Sequence, residues 1–316
     1  MDIEKIIKKN KTEISEITLK MYLSNLLKLN KQITQTDIIK NLDFLKNPSN
    51  VLGLLSNKSL HTQKNYLVSI IVLLKTDENK YKDLIEKYNK IIADIAKKIS
   101  DNYDLNEKSV SQEKNWIELN DIQDLVKKYK KMYNEVRKKK TQLNNNDLQL
   151  IQDYLLISLY SGIYFPPVRN DFADLEVVLE DENIDDNKNY LIIKSNNSLE
   201  FLFNKYKTSK KFGSYKLPVK SKILSDLILD WQSKNGSEYL LINVKTKKPY
   251  NSNAITKNLN RIYKKEFDKT VSTSLLRSIY ISDQLKKNLS NKDKKKLATE
   301  MQHSKDVQQD IYNKID

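Results

Sequence analysis

Residues 190–219 read YLIIKSNNSLEFLFNKYKTSKKFGSYKLPV, and the fold class turns on them. Three short runs rich in β-branched and aromatic residues, Tyr190 to Lys194, Leu199 to Tyr206 and Tyr215 to Val219, are separated by Asn196-Asn197 and by a lysine-rich turn ending at Gly213. Runs of this length bounded by Asn, Ser and Gly predict strands joined by hairpins. Strand-like runs appear only after Pro166-Pro167, and the chain on either side of the three reads as helix or loop. The expected fold class is mostly α with a small antiparallel β-sheet.

Working outward, Glu13 to Leu29 carries Ile14, Ile17, Met21, Leu23, Leu26 and Leu27 at a helical period. Thr36 is read as the cap of a short helix holding Ile38, Ile39, Leu42 and Leu45 and stopped near Pro48, and Ser59 as the cap of Leu60 to Lys75. Between Tyr81 and Ile99, eight apolar residues fall on one face. Residues 1–100 therefore predict a helical bundle. Residues 101–114 (DNYDLNEKSVSQEK) are polar and without sustained period, and read as a linker. Residues 115–316 form the second region. It has Asn120 capping Asp121 to Tyr133, an apolar helix from Asp147 to Tyr160, then the sheet. Helices at Ser221 to Lys234, Ala254 to Phe267, Ser274 to Leu289 and near Val307 to Ile315 follow.

The 316 residues include 56 Lys+Arg against 41 Asp+Glu, a formal net charge of +15, which favours a polyanionic partner. Much of that charge is lysine of the kind an AT-rich coding sequence produces. A guanidinium or an imidazole is rare by contrast, and its position is informative. With no Cys, disulfides, zinc knuckles, iron–sulfur clusters and thiol nucleophiles are excluded; with 2 His, a polyhistidine metal site is not expected. No cofactor is called for. The longest apolar runs, such as Leu67 to Leu74, fall short of a bilayer span, and no signal peptide opens the chain. The expectation is an intracellular protein.

The rare residues form an ordered set. Arg169 follows a turn from Gly162 to Pro167 at the end of an apolar helix. Lys207 sits in the hairpin, with Lys210 and Lys211 as alternatives. Arg277 lies in Ser274-Leu-Leu-Arg277, and His303 precedes Tyr312 by nine residues. This order resembles the catalytic domain of the tyrosine recombinases, the phage integrase family, over nearly the whole chain. The resemblance implies a helical core-binding domain over 1–100 and a catalytic domain over 115–316. It also implies a site of Arg169, Lys207, Arg277, His303 and Tyr312, with Ser274 as a candidate phosphate contact. Double-stranded DNA would be the substrate, with four protomers acting on two duplexes. Host nucleus, viral factory or cytoplasm would be the compartment. The Pro-Pro-x-Arg form of the first box resembles divergent recombinases of large DNA viruses, their satellites and eukaryotic mobile elements. Type IB topoisomerases, which use the same nucleophile, and a catalytically lapsed DNA-binding descendant are the alternatives.

Chemistry gives the same residues work without the family name. Two arginines suit a phosphate clamp because a planar fork bonds two oxygens and stays charged. A lysine among other cations has a lowered pKa and can protonate a departing 5′-oxygen. A phenol with an ordinary pKa near 10 needs orientation and electrostatic activation to attack phosphorus. The ester it forms stores the bond energy, so rejoining requires neither ATP nor metal. Three positions depart from the family pattern: Ser274 stands where His is usual, Gln302 where Gly is common, and Pro166-Pro167 lengthen the first box. Lys64, in the segment capped by Ser59, and Lys257, Asn258 and Arg261 further on are candidates for contact with DNA.

Overall fold

Capping side chains set most helix starts in the structure, a computed structural model that describes residues 1–104, 106–139, 142–180, 182–287, 289–302 and 307–314. Ser15, Ser59, Asn144, Ser221, Asn251 and Ser272 each accept a hydrogen bond from the backbone N–H three residues on. Each bond satisfies an N–H group that the first helical turn leaves without a partner. Contacts divide the chain into two compact units, Met1–Leu105 and Asn106–Asp316.

The first unit holds α1 (Ile3–Asn10), α2 (Glu16–Thr34), α3 (Pro48–Leu55), α4 (Leu60–Leu74) and α5 (Glu78–Asp104). Leu26, Leu29, Leu45, Val51, Leu67 and Tyr88 are buried in its core. The Tyr88 hydroxyl donates to the Leu45 carbonyl at 2.8 Å, so this buried ring is satisfied at its polar end. The helix expected around Ile38 to Leu45 is not formed. The Thr36 hydroxyl donates to the Ile38 carbonyl instead of capping, and only a 3-10 turn forms at Asp43–Leu45. Pro48 opens a helix rather than stopping one: Asn47 caps α3, and a proline in the first turn gives up only an N–H that had no partner there.

The second unit holds α6 (Val110–Asn115), α7 (Leu119–Arg137), α8 (Asn145–Tyr160), β1 (Glu176–Leu179), β2 (Asn189–Ile193), β3 (Leu199–Phe203), α9 (Ser209–Phe212) and β4 (Tyr215–Pro218). After these come α10 (Lys222–Asn235), α11 (Ser252–Phe267), α12 (Thr273–Lys286), α13 (Asn291–Glu300) and a π-helical turn at Val307–Tyr312. A capping box of Ser109 and Gln112 starts α6 inside the polar stretch 101–114. The three expected strands form the antiparallel meander β2–β3–β4, with Tyr190 opposite Leu202 and Phe201 opposite Leu217. A fourth strand, β1, pairs parallel with β2, so the sheet is mixed, in the order β1-β2-β3-β4.

Helix α8 runs through the core of this unit, buried from Ile151 to Tyr160. Its one buried amide, Gln152, donates to the Ile242 carbonyl and the Tyr250 hydroxyl and accepts from the Ile242 N–H. That set of bonds ties α8 to the connection before α11. Trp231 on α10 donates its indole N–H to the Leu240 carbonyl at 2.7 Å. Among the described residues, no helix is long and apolar enough to cross a membrane.

Candidate active site

Helix α8 ends at Tyr160, and the chain leaves it through Gly162, whose φ of +73° is the left-handed conformation that glycine adopts without strain. A side chain at Gly162 would also meet Tyr280 on α12, since an added Cβ would lie 2.4 Å from the ring. The turn then carries Phe165 and Val168 into the core and leaves Arg169 half-buried. The Tyr160 hydroxyl donates to the Arg169 carbonyl at 2.9 Å and fixes that backbone.

Aromatic packing sets this box against the hairpin. Phe172 stands edge-on to Tyr160 and Phe201, with centroids 5.6 and 5.0 Å away, and Phe203 on β3 stacks on Tyr215 of β4. Asn189 on β2 adds a polar brace. Its Nδ2 donates to the carbonyls of Asp171 and Lys205, and its Oδ1 accepts from the N–H groups of Asn204 and Lys205. The strand end at Lys205 is thereby tied to the arginine box, and Lys207, two residues on, has an exposed side chain.

Arg277 lies on α12 and is only 1% exposed. Its Nη1 donates to the Pro167 carbonyl at 2.7 Å and its Nη2 to the Met301 carbonyl at 3.0 Å, while Nε has no partner. The guanidinium therefore ties the first arginine box to the end of α13. Its carbon ζ also lies 4.8 Å from the centroid of the Tyr312 ring, a cation–π contact. Gln302, the residue after Met301, has φ +57°, which is the conformational reason for glycine at such a position. The Gln302 carbonyl receives bonds from Arg169 Nη1 at 3.4 Å and from the Thr208 hydroxyl at 3.2 Å. Its side-chain amide is buried with neither atom bonded.

Tyr312 closes the π-helical turn. Its backbone is fastened to α12 through Ser282, whose hydroxyl donates to the Tyr312 carbonyl and accepts from the Lys314 N–H at 2.8 Å. Burial alone would raise the phenol's pKa. The positive charges of Arg277, Arg169 and Lys207 outweigh it and hold the pKa below the ordinary tyrosine value. Arg277 is itself pushed down by burial, a shift that the neighbouring Tyr312 opposes.

Arg169, Lys207, Arg277 and Tyr312 are thus brought into one electrostatic neighbourhood. Ser274 is exposed on the first turn of α12. His303 lies outside the described residues. Lys64 is half-exposed on α4, and Lys257 is exposed on α11. Arg261 is engaged within the fold: its Nη2 pairs with the buried Asp153 at 2.5 Å, and its Nε bonds Asn258 Oδ1. Asn258 in turn donates to the Ala254 carbonyl.

Sequence reasoning missed Asp171. Burial raises its carboxyl pKa to about 6 against the pull of Arg169 and Arg277, and its Oδ2 is buried without a partner. The available signal was its place two residues after Arg169. Among the described residues, no group of three or more His, Cys, Asp or Glu is disposed to hold a metal ion.

No protein-family model matches the sequence, and no curated protein matches it. Among solved structures, the crystal structure of XerA recombinase is similar to this chain, with a TM-score of 0.40 and 12% sequence identity, over 100% of this chain and 94% of that one.

Proposed function

We propose that the chain cuts and rejoins DNA strands with Tyr312 as nucleophile, acting as a site-specific recombinase of the integrase kind. The observation that carries this reading is geometric: the buried Arg277 guanidinium, tied to the carbonyls of Pro167 and Met301, lies 4.8 Å from the Tyr312 ring, and its charge, with those at residues 169 and 207, outweighs burial in lowering the phenol's pKa. A phenol that loses its proton more readily than an ordinary tyrosine, beside guanidinium groups, is suited to attack a phosphodiester.

In the step proposed, the Tyr312 hydroxyl gives its proton to solvent and its oxygen forms a bond to phosphorus while the bond from phosphorus to the 5′-oxygen breaks. Lys207 gives its proton to the departing 5′-oxygen, and Arg169 and Arg277 neutralise the charge that accumulates on the non-bridging oxygens. The product is a 3′-phosphotyrosine, and attack by a 5′-hydroxyl reverses the sequence. Arg277 commits two of its five N–H donors to backbone carbonyls, and Arg169 commits one, to the Gln302 carbonyl. Exchange between two duplexes by assembled protomers belongs to the same reading.

A randomised library of duplexes carrying single nicks, incubated with the protein and run under denaturing conditions, tests it. A protein–DNA adduct is expected from the wild type and none from Tyr312→Phe. A wild type that forms no adduct from the whole library refutes the assignment.

A further inference from the structure

We infer that Phe212 is a wedge that packs its ring against the bases of duplex DNA beside the strand the site cuts. The inference rests on the proposal that the chain acts on DNA. Phe212 is the last residue of α9, the single turn between β3 and β4, and its ring is 46% exposed. It joins none of the hydrophobic clusters of the second unit, so folding gains little from it. Lysines accompany it in the same connection at 207, 210 and 211, and the Lys211 ammonium lies 5.3 Å from the ring centroid.

The base of this tip is anchored. Tyr206 donates its hydroxyl to the Gly213 carbonyl at 2.7 Å, and Thr208 bonds the Gln302 carbonyl that Arg169 also reaches. The ring is therefore presented at a set offset from the pocket of Arg169, Arg277 and Tyr312. Charge selects the partner. An apolar protein surface would have to strip water from the neighbouring ammonium groups, whereas a duplex offers phosphates to those groups and base faces to the ring. Apolar side chains driven between base steps kink and partly unstack a duplex, and that is the deformation expected here.

Fluorescence anisotropy of the full-length protein with a labelled mixed-sequence duplex, repeated over a salt series, reads the contact. Phe212→Ala is expected to weaken binding by about 5- to 100-fold while leaving the slope of affinity against salt unchanged, because it removes stacking and no phosphate contact. Lys211→Ala is expected to flatten that slope by about one charge. Phe212→Trp should retain affinity. Thymines near the bound protein should react with permanganate in the wild-type complex and not in the Phe212→Ala complex. Equal affinity of Phe212→Ala and wild type, with adduct formation through Tyr312 intact, overturns the wedge and leaves the proposed function standing. A wild type that binds no duplex overturns both. Binding to anionic vesicles that depends on Phe212, with duplex binding that does not, also overturns the wedge.

Discussion

Replacing Asp171 with asparagine is expected to stabilise the protein near neutral pH and to give no gain in mild acid. Burial lifts the Asp171 carboxyl from 3.8 to about 6, opposed by Arg169, by Arg277 and by a backbone hydrogen bond from Arg169. A displacement of that size means that ionising the group costs about 3 kcal/mol more in the folded protein than in the unfolded chain. The sign follows from where the proton is held. A carboxyl raised on folding contributes stability in full below 3.8, and that contribution is lost as pH climbs through about 6. At neutral pH the folded protein carries the ionised group at its full penalty. Asparagine has nearly the same shape and does not ionise, but it puts an amide donor where Oδ2 has no partner, at a cost of about 1 kcal/mol. The net gain is about 2 kcal/mol near pH 7.5, on the order of 5 °C in Tm for a unit of this size, falling to zero or below by about pH 4.5. Thermal melts of both proteins across that range measure it. A variant that melts lower at neutral pH, or one whose gain is the same at both ends, refutes the account of Asp171 as a carboxylate ionised against its surroundings.

Gly162→Ala introduces a Cβ at 2.4 Å from Tyr280 in a residue with φ +73°, and the expected loss is about 2–4 kcal/mol in a melt. Gln152→Leu leaves the N–H and carbonyl of Ile242 without partners inside the core, and a urea titration should register a loss of about 3 kcal/mol. The two arginines should separate in a paired test. Arg277→Lys is expected to lower Tm as well as adduct formation, because one ammonium cannot span the Pro167 and Met301 carbonyls. Arg169→Lys is expected to reduce adduct formation at least about tenfold with Tm nearly unchanged.

Elements whose signal is local were legible in the sequence. The Ser59 cap and the apolar face of α5 could be read because a cap or a 3.6-residue period is written within one helix. The Pro48 region misled, since a proline near a helix boundary fits either its end or its first turn. Helix α13 escaped notice because NKDKKKLATE buries only Leu297 and Ala298, too few to make a stripe. Strand β1 has four residues and takes its place by pairing with β2, a contact the local pattern does not encode. At the site, Arg169 and Arg277 stood out because arginine is scarce in this chain. Asp171 did not, being one of 41 acidic residues, and what sets it apart is burial that only tertiary packing creates. The Arg261–Asp153 pair, 108 residues apart, was illegible for the same reason.

The same packing makes the two arginines unequal in a way their shared chemistry conceals. Arg277 is buried with two of its three nitrogens bonded to backbone carbonyls, one in the box before Arg169 and one just before Gln302. A charge so buried is tolerable because those carbonyls and the Tyr312 ring replace its water. Removing it would unfasten both segments that meet at the pocket. Arg169 is half-buried, and its one bond to Gln302, at 3.4 Å, is long for a charged donor. It can therefore turn toward an arriving anion at little cost. On the proposed function, Arg277 would assemble the pocket and bias the phenol, and Arg169 would be the arginine that meets the phosphate. On that proposal, the electrostatic bias on Tyr312 belongs to the folded chain itself, set by a guanidinium that is buried and bonded to two carbonyls before any ligand arrives.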